Sequence, residues 1–198
     1  MEKDGRLFHM VDKAADLVVL GILWLVTSLP IITIGTSSTA LYYAVAKTVR
    51  FGEGKSVKEY FRAWKANALQ GCVSTALYLM IAGAIVSAVQ VTESLWLALI
   101  PALGAVGTAI YFFPVLSRFT LSTIQCFQVS VFLMARYPAQ TVGLLLTFVL
   151  CGAVTVIFPF LLPVLCSFYT FYSTFFLEKT FKEYMNPEQI EGREWYLE

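Results

Sequence analysis

Gly54, Lys55 and Ser56, at the end of the stretch VRFGEGKS, form the closing triplet of a phosphate-binding loop. Such a loop reads G-x-x-x-x-G-K-[ST] and lies between a buried strand and a helix, where its backbone N–H groups cradle phosphates while the lysine reaches outward. Here Val49 stands at the first glycine position. The expectation is therefore a turn supplied by Gly52 and Gly54, with no nucleotide bound.

Other reactive chemistry is thin. His9 is the sole histidine, and Cys72, Cys126, Cys151 and Cys166 are scattered without C-x-x-C spacing. Neither a zinc site nor a Cys-His nucleophile is indicated, so no catalytic residue, metal or cofactor is expected and the chain reads as non-enzymatic. The cysteines read as small packing residues that stay reduced. Thr36, Ser38, Thr39, Gln70, Thr120, Ser122, Thr123 and Gln125 are candidates for polar packing or for a neutral-solute site, with hydrogen bonding between helices the favoured role.

The elements that carry these residues follow from composition. Of 198 residues 58% are hydrophobic and only 14% charged, against about 45–50% and about 25% in soluble domains. Mean hydropathy is +0.72. Uncharged runs cover residues 17–46, 66–92, 94–117, 119–135 and 137–177. A bilayer core about 30 Å thick needs about 20 apolar residues in a helix. The reading is an all-α polytopic transmembrane bundle, one integral membrane domain over 1–198, with spans near 14–34, 68–90, 94–116, 139–158 and 160–178 and interfacial elbow helices near 36–50, 57–66 and 119–135. Pro159 and Pro163 divide the last run into two crossings. Residues 179–198 read as a short amphipathic helix followed by an acidic tail. No cleavable signal peptide is expected, because MEKDGRLFHMVDKAAD mixes charges and no A-x-A site follows the first apolar run.

Lys47, Arg50, Lys55, Lys58, Arg62 and Lys65 fall between the first and second spans, Arg118 and Arg136 between the third and fourth, and Lys179, Lys182 and Arg193 after the fifth. The positive-inside rule makes these segments and the C-terminus cytoplasmic. Five crossings then put the N-terminus outside. The alternative is a hairpin over residues 17–46, broken at Pro30 and Gly35, with the N-terminus cytoplasmic. Acidic residues fall only at the edges of spans, Asp16 in the first and Glu178 at the end of the last, and no basic residue lies deep in one, which disfavours a proton-coupled pump.

Aligning Pro30 with Pro114 sets PIITIGTSSTALYYAV against PVLSRFTLSTIQCFQV, a possible internal parallel repeat in which Thr36 and Thr120 would each cap an elbow helix. In KEYFRAWK, Lys58, Arg62 and Lys65 recur at helical spacing while Tyr60, Phe61 and Trp64 group on another face. That pattern fits a helix in the membrane interface with its lysines toward anionic headgroups. Lys58, Phe61, Arg62, Trp64, Lys65, Asn67, Arg118 and Arg136 are accordingly the candidate residues for a partner or the membrane interface.

WLVTSLPIITIGTSSTALYY, a Gly-Glu-Gly loop, EYFRAWKANALQG, YFFPVLSRF and ARYPAQTVGLLL occur in that order. The arrangement resembles the YesL family of bacterial integral membrane proteins, a group of unknown function, over about residues 16–179; Trp64 and Ala68 stand where phenylalanine is more usual in that family. The resemblance implies an accessory or regulatory role beside carbohydrate ABC uptake transporters in the bacterial cell membrane, with permease or ATPase subunits as partners and no nucleic acid. It supplies no catalytic residue. A small carrier or channel for a neutral solute is the alternative, and a membrane-embedded enzyme lacks the residues for a mechanism.

Overall fold

In lipid an apolar segment finds no water for its N–H and C=O groups, so it must satisfy them internally, as a helix does. The computed structural model describes residues 2–92 and 95–184, and the side chains within them apart from those of residues 2–10, 92, 95 and 97. All regular structure among the described residues is helical: α1 (Glu2–Thr27), α2 (Ile34–Ala44), α3 (Ser56–Ala66), α4 (Ala68–Thr92), α5 (Leu95–Arg118), α6 (Thr123–Arg136), α7 (Pro138–Ile157) and α8 (Leu162–Tyr184). A 3-10 turn, Ile31–Thr33, leads into α2, a π-helical segment, Val45–Arg50, prolongs it, and another 3-10 turn, Pro159–Leu161, precedes α8.

Four helices among the described residues are long and apolar enough to cross a membrane: Ala68–Val91, Ala98–Arg118, Pro138–Ile157 and Pro159–Tyr184. Their outward faces are greasy, with Met80 72%, Ile100 78%, Leu150 63% and Val156 84% exposed. Apolar surface on this scale is what a wall facing lipid presents. The molecule is an all-α polytopic membrane bundle.

The first apolar run departs from the straight span expected over 14–34. α1 stops at Thr27, and the chain turns back through Pro30 into α2. At about 1.5 Å per residue the apolar end of α1, residues 14–27, is about 21 Å long, short of a bilayer core of about 30 Å. α1 and α2 are joined through this turn and pack against each other. Trp24 Nε1 donates to Ser38 Oγ at 3.2 Å, Thr27 Oγ1 and Ser37 Oγ are 2.9 Å apart, and Thr33 Oγ1 donates to the Thr27 carbonyl at 2.6 Å. These hydroxyls hold polar groups that the break at Pro30 would otherwise leave unmet.

Two further expectations change. α8 continues to Tyr184, past the expected end at 178, so residues 179–184 prolong a spanning helix and form no separate tail helix; the remaining tail, 185–198, lies outside the described residues. The two aligned windows also fold differently. Pro30 precedes a turn and Thr36 lies inside α2, whereas Pro114 is inside α5 and Ser122, not Thr120, caps α6. Ser122 accepts from the Gln125 N–H while the Gln125 side chain accepts from the Ser122 N–H, a reciprocal capping box. The short likeness of sequence does not carry a repeat of structure.

The core divides in two. Leu20, Leu41, Val45, Val49 and Tyr60 are buried where α1, α2 and α3 meet. Tyr111, Phe112, Val115, Leu133 and Phe181 are buried where α5, α6 and α8 meet. Backbone contact binds the hairpin to α4: the Gly35 N–H donates to Thr75 Oγ1 at 2.9 Å, and a Cβ on Gly71 would stand 2.6 Å from the Thr36 Cα. Only glycine permits so close an approach.

Candidate functional site

The C-terminal ends of α5 and α8 converge, and they bring charge into a buried place. Arg118 Nη2 lies 2.6 Å from Glu178 Oε2, with side chains 3% and 0% exposed. Tyr42 on α2 donates its hydroxyl to Glu178 Oε1 at 3.1 Å. Burial first, and then the Glu178 charge, hold the Tyr42 hydroxyl well above its ordinary pKa, so it stays protonated and donates. Both carboxylate oxygens are thus engaged, as a buried charge requires.

A second cluster lies beside it. Lys47 Nζ is 3.2 Å and Arg62 Nη1 3.7 Å from Glu59 Oε2. Lys47 and Arg50 both belong to the π-helical segment, and Lys47 reaches Glu59 on α3 while Arg50 reaches α8. Arg50 donates to the Thr174 carbonyl and lies 5.1 Å from the Phe175 ring centroid. At the junction of α6 and α7 the Tyr137 hydroxyl donates to Glu183 at 2.5 Å. Charged groups of α3, α5, α8 and the π-helical segment therefore gather at one end of the bundle. Among the described residues no group of three or more His, Cys, Asp or Glu could hold a metal ion.

Behind Tyr42 lies a cavity of about 490 Å³ between α1, α2, α5, α7 and α8. Trp24, Leu41, Ile110, Phe113, Phe148 and Leu165 are among its lining residues. Its hydroxyls are mostly spoken for. Ser38 accepts from Trp24, Thr155 donates to the Cys151 carbonyl, Thr170 to that of Cys166 and Ser173 to that of Thr170. The exception is Tyr169, whose buried hydroxyl has no hydrogen-bond partner among the described residues.

The residues read from sequence as candidates scatter over three settings. Lys58, Phe61, Arg62 and Lys65 are exposed on α3, Trp64 is half-buried, and Asn67 caps the end of that helix by donating to the Ala63 carbonyl at 3.0 Å. Tyr60 leaves the aromatic face predicted for it: it is wholly buried against α1, its hydroxyl 2.6 Å from Thr27 Oγ1. One residue on a helix is about 100° of rotation, so Phe61 points outward with the cations while Tyr60 points in. Arg136 is exposed at the end of α6. Arg118 is a correction, since it is buried in the pair with Glu178 and presents nothing to a membrane surface.

The polar candidates serve packing. Thr36 Oγ1 donates to the Ala68 carbonyl at 3.2 Å, Thr39 to that of Gly35 at 2.8 Å, and Gln70 Nε2 to that of Leu121 at 2.7 Å. Ser122 and Gln125 form the cap of α6, Thr120 is exposed before it, and Thr123 opens the helix half-buried. Of the set, only Ser38 lines the cavity. The Gly-Lys-Ser stretch is a turn between the π-helical segment and α3, with Gly52 at φ 79° and Gly54 at φ 83°, and Ser56 donates to Thr48 Oγ1 at 3.1 Å.

Sequence reading missed Tyr42, Lys47, Glu59, Tyr169 and Glu178. The signal for Glu178 was its place as the first charge after the uncharged run 137–177, still in helical register with it.

Residues 17–88 match the model of a protein family of unknown function, DUF624. The match spans the α1–α2 hairpin from Leu17, all of α3 and most of α4, including the contact between Gly35 and Gly71. Comparison with curated proteins and with solved structures finds no match.

Proposed function

We propose that this protein is a non-enzymatic integral membrane protein of the YesL type, an accessory or regulatory subunit of a carbohydrate ABC uptake transporter in a bacterial cell membrane. In this reading the charged end of the bundle, with the C-terminus, faces the cytoplasm, as the excess of Lys and Arg there favours. The observation that carries the reading is the division of α3. Ser56, Glu59, Tyr60 and Ala63 pack inward, while Lys58, Phe61, Arg62 and Lys65 stay exposed on one face. Aromatic and arginine side chains are enriched at protein interfaces, and the cations beside Phe61 on this face select an acidic partner surface.

The test is affinity capture of the tagged full chain from its own membranes in mild detergent. Permease and ATPase subunits are expected to copurify, and Lys58→Glu, Arg62→Glu and Lys65→Glu together are expected to release them. Recovery of the protein alone would count against the proposal.

A second reading, a small carrier for a neutral solute, has the cavity in its favour. Its walls are apolar and nearly all its hydroxyls are occupied, which suits a hydrophobic solute better than a sugar. It predicts flux across vesicles that contain this protein and no other.

A further inference from the structure

We infer that the cavity is a binding site for a lipid-like molecule drawn from the bilayer: one apolar chain carrying an oxygen that accepts a hydrogen bond from Tyr169. This goes beyond the accessory role and does not depend on it.

Three observations lead there. The cavity measures about 490 Å³, about three times an engineered apolar cavity of about 150 Å³ that stays dry and takes up apolar ligands. Its size lies within the range of about 300–1,000 Å³ usual for small-molecule sites. α5, α7 and α8 form much of its wall, and each is long and apolar enough to span a membrane, so the nearest reservoir of ligand is the lipid itself. An empty space of this volume would forfeit the dispersion contacts of every side chain around it.

The polar groups narrow the ligand class. Ser38, Thr155, Thr170 and Ser173 are bonded within the protein, and Tyr42 is committed to Glu178. A sugar, with a hydroxyl on nearly every carbon, would lose more hydrogen bonds to water than these walls return. Among the described residues that line the cavity, Tyr169 is the one whose buried hydroxyl makes no hydrogen bond of either kind, while Ser38 accepts from Trp24. A chain with a single ester or ketone oxygen answers the Tyr169 hydroxyl and brings few polar atoms that the apolar walls would leave unmet.

Gly152 makes the site testable without damage to the fold. It lines the cavity, and a Cβ placed on it meets nothing within 4 Å. Gly152 is exposed at the edge of the cavity, so Gly152→Leu adds bulk at its margin while exchanging a helical glycine for a better helix former.

For the experiment, the full-length chain retains Trp24 as its one tryptophan, with Trp64, Trp96 and Trp195 changed to Phe. It is placed in phosphatidylcholine vesicles and titrated with the methyl ester of dibromostearic acid, whose bromines quench indole fluorescence at contact. Quenching of Trp24 should saturate at a low fraction of ester. Gly152→Leu should weaken the saturable component by about tenfold or more, while the thermal midpoint stays the same or rises. Tyr169→Phe should weaken the ester by about fivefold and leave a dibrominated hydrocarbon unchanged. Quenching that grows in proportion to bilayer content, or is identical in Gly152→Leu, would mean annular lipid only and would overturn the site. Equal effects of Tyr169→Phe on ester and hydrocarbon would overturn the assigned hydrogen bond.

Discussion

Arg118, the last residue of α5, is clamped to Glu178 of α8 at 2.6 Å, and Tyr42 of α2 closes the carboxylate's other oxygen. One acidic side chain thus joins three helices from distant parts of the chain. Removing either charge leaves the other buried without compensation, which costs about 3–5 kcal/mol, whereas replacing both with apolar residues is often neutral. Glu178→Ala or Arg118→Ala should lower the unfolding midpoint sharply in detergent, and Arg118→Leu with Glu178→Leu should restore most of it. Equal losses in the single and double variants would show that the pair does not act as a unit.

Tyr42→Phe keeps the ring and deletes the donor to Glu178. A hydrogen bond to a charged group contributes about 1.5–3 kcal/mol, so the loss should be smaller than that of Glu178→Ala. Comparing the two by thermal unfolding ranks the members of the triad.

The contact between α2 and α4 depends on absent side chains. A Cβ on Gly71 would stand 2.6 Å from the Thr36 Cα and 2.8 Å from its nitrogen, while one on Gly143 meets nothing within 4 Å. Gly71→Ala should destabilise by about 1–3 kcal/mol through overpacking. Gly143→Ala should be neutral or stabilising by up to about 1 kcal/mol, since alanine is the better helix former.

Burial raises the Tyr60 hydroxyl above its ordinary pKa, against the opposing hydrogen bonds of Thr27 and Ser37. Folding therefore favours the protonated phenol. Its contribution is complete below the unfolded value of about 10 and is lost as pH climbs through the higher folded value. Stability measured from about pH 8 upward should fall beyond about pH 10 more steeply in the wild type than in Tyr60→Phe.

The sidedness in the proposed function has its own check. In intact cells a thiol placed by Lys58→Cys should resist a membrane-impermeant maleimide and react with a permeant one. Modification from outside would reverse the orientation.

The sequence by itself determined that the chain is helical and lives in lipid. Runs such as 66–92 and 137–177 hold no charge at all, and a segment that cannot hydrogen-bond to its solvent has few structures open to it. It also marked where elements end, since Pro159 breaks the last run and the glycines 52 and 54 turn the chain at positive φ. That Gly-Lys-Ser is a turn was legible because a phosphate loop needs a strand before it, and none was in prospect.

Tertiary structure decided the rest. That α1 ends at Thr27 and packs back on α2 and α3 depends on Thr27 meeting both Ser37 and Tyr60, and no periodicity records a meeting between side chains 10 and 33 positions apart. Arg118 read as a surface cation because nothing local reveals a partner 60 residues away. The cavity was invisible for the same reason: it is space left among five helices that pack on one another, and composition counts only what each helix contains. Periodicity reports the solvent of one segment at a time, while pairing and empty space belong to the assembled bundle.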